Sequence, residues 1–151
     1  MRILPNQFDN SYTGHLLGLW LFYLVTLVSL GRSIVHIVVP DGGAQSIATI
    51  PLDTFTSQGA QSVISIFGLW GLSQLLFACF FLLVATRYRS MIPLMYAFVL
   101  VEYLGRLCIG LIKPLATVST PPGAIGNFVF IGIALAGIAL TCWPSVSLDK
   151  D

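Results

Sequence analysis

The chain has 151 residues, 56% of them hydrophobic and 9% charged, with a formal net charge of +1 and a mean hydropathy of +0.90. A soluble domain carries about 25% charged residues, so a water-soluble globule is excluded. No basic run or patch interrupts the sequence, which removes nucleic acid as a partner.

Two long stretches carry no charge at all, one between Asp53 and Arg87 and one between Lys113 and Asp149. Each exceeds the roughly 20 apolar residues a helix needs to cross a bilayer. The expected fold is therefore all-α: a four-helix transmembrane bundle in one integral membrane domain covering residues 1–151.

Residues 1–13 form a short polar lead-in. The apolar stretch that follows exceeds the 7–15 residues of a signal-peptide core, and no A-x-A site closes it. The first span covers 14–39, contains Arg32 and His36, and is stopped by Pro40 before Asp41-Gly42-Gly43. Proline ends a helix and paired glycines allow a turn. Gly14 and Gly18 form a G-x-x-x-G through which another helix could approach.

A long loop, 40–60, has Asp41 and Asp53 as its only charges; its segment Ala44 to Ile50 is expected along the interface or as a solvated connector. The second span covers 61–86, with Asp53, Thr54 or Ser57 as candidate caps. Trp70, Ser73 and Gln74 lie mid-span, and Gln74 suits hydrogen bonding between helices. Arg87-Tyr88-Arg89 turns the chain into the third span, 91–112, which Pro114 ends. The fourth, 123–143, is rich in Gly and Ala, as close helix contact within a bundle or between copies requires. Trp143-Pro144 marks the interface before a short tail. Arg2, Arg87, Arg89 and Lys150 collect on one side, so both termini are expected to be cytoplasmic.

The third span carries Glu102 and Arg106 at i and i+4, on one helical face and with the carboxylate N-terminal to the cation, the favoured order. Charges inside a membrane helix are rare and face the protein interior. Gly31-Arg32 through Pro40 aligns with Gly105-Arg106 through Pro114. The chain thus reads as two helical hairpins in parallel relation, a known membrane-protein plan. Arg32 and Arg106 each precede a helix-ending proline by eight residues, roughly 12 Å below the boundary, with Glu102 about 6 Å deeper. His36 stands one turn above Arg32 on the same face. Arg32, His36, Glu102 and Arg106 are the candidate site, asymmetric and with surplus positive charge.

One carboxylate cannot neutralise two arginines, and the arginine fork matches phosphate or carboxylate. Three readings follow. The first is a purely structural ion pair. The second is a small binding or accessory protein, alone, as a homo-oligomer or as a subunit of a larger membrane complex, whose pocket takes an anionic lipid headgroup or small acid. The third is a membrane enzyme acting on a lipid-like substrate, or a proton-coupled transporter, with Glu102 or His36 as acid or base. The second is the leading expectation. No cofactor or metal is expected, since no HExxH, P-loop, G-x-S-x-G or Cys/His cluster is present. His15 and His36 stand about 31 Å apart along one helix. Cys79, Cys108 and Cys142 form no CxxC pair and are expected to be small buried hydrophobes.

The four short spans, with Gly-Arg followed by aliphatics and Asp-Gly between Gly31 and Gly42, resemble small bacterial membrane proteins of the DoxX-like and unknown-function type. That resemblance implies a four-helix fold in a bacterial inner membrane and carries no functional residue with it. The glutathione-handling four-helix membrane enzymes share length and layout, but their Arg-Ala-Gln-x-Asn pattern is absent.

Overall fold

A computed structural model describes residues 1–143. The described chain is all-helical, with α1 at Leu16–Val38, α2 at Ser57–Arg87, α3 at Ile92–Ile112 and α4 at Pro122–Cys142. All four are long and apolar enough to cross a membrane. The tail from Pro144 onward, with Lys150, lies outside the described residues.

Local chemistry sets the helix ends. His15 caps α1, its Nδ1 accepting from the Leu17 amide at 3.2 Å. Thr56, rather than Asp53, Thr54 or Ser57, caps α2, its Oγ1 accepting from the Gly59 amide at 3.2 Å. Residues Leu52–Thr54 are drawn into a 3-10 turn and Ser57 is already helical, which leaves Thr56 to meet the free N–H groups. α4 opens on Pro122, where the missing N–H costs nothing.

Sequence neighbours pair as hairpins, α1 with α2 and α3 with α4, and the two hairpins join mainly through α1 and α4. The core between them holds Phe22, Phe81, Met95, Tyr96, Val99 and Tyr103. Glycines let the hairpins close. A Cβ on Gly14 would lie 2.8 Å from the Thr141 Cα, and one on Gly18 would lie 3.0 Å from the Thr141 Cγ2. The G-x-x-x-G therefore receives α4. Tyr96 passes over Gly137 and donates from its hydroxyl to the Gly18 carbonyl at 2.8 Å, tying α3 to α1 across α4. Ala134 and Gly137 are buried on this face, whereas Gly123, Gly126 and Gly132 look onto open space.

The two ends of the bundle differ. At the turn end, residues 1–15 cross the helix termini: Asp9 exchanges hydrogen bonds with Ser90 at 2.9–3.0 Å, and the His15 amide donates to the Leu140 carbonyl at 3.0 Å. At the loop end α2 overshoots its neighbours. Its 31 residues run about 46 Å, against a hydrocarbon thickness of about 30 Å. The overshoot is clothed by the long loop, which packs on the helix rather than lying along the interface or running free in solvent: Ala44, Ile50 and Leu52 pack on Val63, Ile64 and Phe67. Thr49 then binds the α3–α4 connection, its hydroxyl donating to the Ser119 carbonyl at 2.9 Å and its carbonyl accepting from the Val118 amide at 3.0 Å.

The cysteines depart from expectation. Cys79 and Cys108 are exposed on outer helix faces and Cys142 is half-buried. A bilayer is as apolar as a core, so a small hydrophobe there needs no protein cover.

Gly137→Ala would drive a methyl into the Tyr96 ring. Overpacking of that kind costs about 1–3 kcal/mol. Thermal unfolding in detergent should show a clear loss of stability for Gly137→Ala and none for Gly132→Ala, whose added Cβ meets open space.

Candidate functional site

Arg32 and Arg106 each stand six residues before the last residue of their helix, Val38 and Ile112, about 9 Å along the axis. At that level Trp70 of α2 lies between them. The Arg32 guanidinium carbon is 5.6 Å from the Trp70 ring centre, and that of Arg106 is 4.9 Å. Two cations share one ring, each contact of a kind worth about 0.5–1 kcal/mol at exposed sites and more where the pair is desolvated.

Their remaining partners differ. Arg106 is ion-paired to Glu102 of its own helix, its Nε donating to Oε1 at 3.1 Å and its Nη2 reaching the same oxygen. Among the described residues this is the sole ion pair. Arg32 has only neutral acceptors: its Nε donates to Gln74 Oε1 at 3.2 Å and its Nη1 to the Tyr103 hydroxyl at 3.1 Å. Tyr103 is held in turn by a parallel stack on Phe130 of α4, ring centres 4.6 Å apart. All four helices thereby contribute to the surroundings of one guanidinium.

The bond from Arg32 also fixes the Gln74 amide. Nε can only donate, so the Gln74 oxygen must face Arg32 and its Nε2 must face away. That nitrogen is buried without a hydrogen-bond partner, which costs about 1–3 kcal/mol. It belongs to the wall of a cavity lined by Ser29, Arg32, Gln74, Glu102 and Tyr103 on the polar side and by apolar residues beyond. The cavity holds about 30 Å³, the volume of one water molecule. Donors outnumber acceptors on its wall, and the formal charge of Arg32, Arg106 and Glu102 together is +1.

Three of the four sequence-predicted residues, Arg32, Glu102 and Arg106, gather here. His36 meets the same Trp70 ring, centres 4.7 Å apart, but its chemistry is turned to the loop: Nδ1 lies 2.7 Å from the Gly42 carbonyl. A carbonyl accepts only, so Nδ1 carries a proton there, and in the neutral ring the free lone pair is on Nε2. Gly71 opposite makes room, since a Cβ there would lie 2.7 Å from the His36 Cβ. Trp70, Gln74 and Tyr103 complete the site. The sequence marks Trp70 and Gln74 as mid-span polar or amphipathic residues, while Tyr103 is masked by its neighbour Glu102.

The carboxylate of Glu102 is not deep in the bundle; its side chain is 44% exposed and that of Arg106 is 19% exposed. They rim a seam between α2 and α3, which make little close contact with each other. No group of three or more His, Cys, Asp or Glu that could hold a metal occurs among the described residues. No protein-family model, curated protein or solved structure matches the chain.

The loop bound by His36 is itself organised by Asp41, whose carboxylate accepts from the amides of Gly43, Gln45 and Ser46 at 2.6–3.0 Å. Partial burial would raise its pKa, but these hydrogen bonds outweigh it and hold the carboxyl below its ordinary 3.8. A folded-state pKa below the unfolded one gives stability that is complete above 3.8 and lost as the pH falls through the lower value. Amide protection at Gly43, Gln45 and Ser46, corrected for intrinsic exchange, should therefore hold from neutrality to about pH 4 and fall below it. Asp41→Asn should lower protection at neutral pH and remove the acid step; an unchanged acid step in that variant would show that another group governs the loop.

Proposed function

We propose that this protein is a small integral membrane binding or accessory protein that holds an anionic group, a phosphate or carboxylate, at Arg32. The observation that carries the reading is the unpaired guanidinium: Arg32 has two neutral acceptors and an aromatic face but no carboxylate within ion-pair distance, and beside it Gln74 presents a buried, unused donor. An arginine at a membrane helix centre costs about 2.5–3.5 kcal/mol on insertion scales. An oxyanion would neutralise Arg32 and accept from Gln74 Nε2 in one step, and the arginine fork suits such a group.

Binding is favoured over acid–base chemistry because Glu102, the carboxylate nearest this site, is already paired with Arg106. The equal levels of Arg32 and Arg106 support duplicated, parallel-related hairpins. The open small-residue face of α4 supports association with a second copy or another membrane subunit. Arg2, Arg87 and Arg89 at the turn end support cytoplasmic termini by the positive-inside rule, and the layout suits a bacterial inner membrane.

Native mass spectrometry of detergent-purified protein tests the reading. The wild type should retain an anionic molecule, and Arg32→Ala should lose it, while Arg32→Lys, which keeps the charge, should retain part. Equal occupancy in wild type and Arg32→Ala, or a wild type that is bare in every preparation, would make the charges purely structural.

A further inference from the structure

We propose that the anion of this site is the headgroup of a membrane lipid that enters sideways through the seam between α2 and α3, with an acyl chain lying along the apolar floor of that seam. This rests on the anion reading of Arg32 and adds where the ligand comes from and what the rest of it is.

The first support is the order of residues along the cavity. On α1 the wall runs Arg32, Ser29, Val28, Val25; on α2 it runs Gln74, Phe77, Phe81; on α3 it runs Tyr103, Glu102, Val99. Each helix is polar toward the loop end and apolar toward the turn end. From Arg32 to Val25 the change takes about 10 Å. That is the profile of a lipid whose headgroup sits toward one membrane face and whose chain points to the midplane. A small water-borne acid has no use for the apolar half.

The second is access. From the loop end the site is covered. The 40–50 loop is fastened to the α3–α4 connection by Thr49 and to α1 by His36 and Gly42, and Arg106 of α3 lies on Trp70 of α2 above the cavity. On the membrane side α2 and α3 are splayed, and Val28 and Phe77 at the seam are exposed. The narrow inner space of about 30 Å³ takes a headgroup oxygen rather than a whole headgroup, which leaves the rest of the molecule to the seam.

The third is charge. The rim pair Glu102 and Arg106 is neutral as a unit, and the surplus is the Arg32 cation behind it. An anionic lipid is favoured over a zwitterionic one by that single charge, with its oxygen on Arg32, Gln74 Nε2 and the Tyr103 hydroxyl.

Trp70, in contact with both arginines, reports on the site. In a variant with Trp20→Phe and Trp143→Phe as background, Trp70 is the only tryptophan. Reconstituted into phosphatidylcholine nanodiscs, it should be quenched more by brominated-chain phosphatidylglycerol than by brominated-chain phosphatidylcholine at equal mole fraction. That excess should vanish in Arg32→Gln. It should also vanish in Val28→Phe, which narrows the seam at an exposed position and leaves the polar end intact. Equal quenching by both lipids would reduce them to ordinary boundary lipid and overturn the proposal, as would an excess that survives Val28→Phe. The remaining arm uses inorganic phosphate. A Trp70 response to phosphate without any brominated-lipid excess would leave the anion site standing and refute the lipid, whereas silence toward both would refute the two together.

Discussion

A guanidinium within a membrane-spanning helix must find acceptors inside the protein, because the hydrocarbon around it supplies none. Around Arg32 that demand recruits every helix: Gln74 and Trp70 from α2, Tyr103 from α3, and through its stack on Tyr103, Phe130 from α4. Without this hub the loop-end halves of the two hairpins would be joined chiefly by the Thr49 contacts, since α2 and α3 make little close contact. The same contacts fix the Gln74 amide and so create the buried unused donor. One cation thus holds the site together and leaves it electrically incomplete.

The contrast between the two ends follows. At the turn end, glycines at 14, 18 and 137 bring α1, α3 and α4 into contact through Thr141 and Tyr96, and the N-terminal segment closes over them. At the loop end, polar side chains and cation–π contacts replace interdigitated core, and the seam between α2 and α3 stays open to the bilayer. Close packing is concentrated in one half of the bundle and the polar cluster lies in the other, which fits the usual division between a packed scaffold and the more weakly held elements that carry function.

Much of this was legible in the residues. Uncharged runs marked the second and fourth spans, apolar stretches marked the first and third, and the prolines at 40 and 114 bounded those two to within a few residues. The shared level of Arg32 and Arg106, and the Glu102–Arg106 pair, followed from helical geometry alone. Periodicity within one helix does not say how two hairpins rotate against each other, so it could not reveal that both arginines rest on Trp70 or that Tyr103, rather than Glu102, serves Arg32. His36 was placed on the correct face, but its fate depended on a turn at Gly42 and Gly43, both at positive φ, which brings the Gly42 carbonyl back onto the ring. The loop's packing was hidden for a related reason: the overshoot of α2 becomes visible only once α2 has been seen to begin at Ser57, inside the stretch expected to be loop.

The central claim is that Arg32 is a cation awaiting an anion. Its most direct measurement is thermal unfolding of delipidated protein in neutral detergent, titrated with an anionic single-chain amphiphile such as decyl phosphate, for wild type and Arg32→Met side by side. A ligand that binds only the folded state stabilises it by RT ln(1 + [L]/Kd), about 2.7 kcal/mol at a hundredfold excess over Kd. The expected result is a saturating rise in Tm for the wild type and a flat response for Arg32→Met. A matching rise in both, or none in either, would contradict the claim and return Arg32 to a purely structural role.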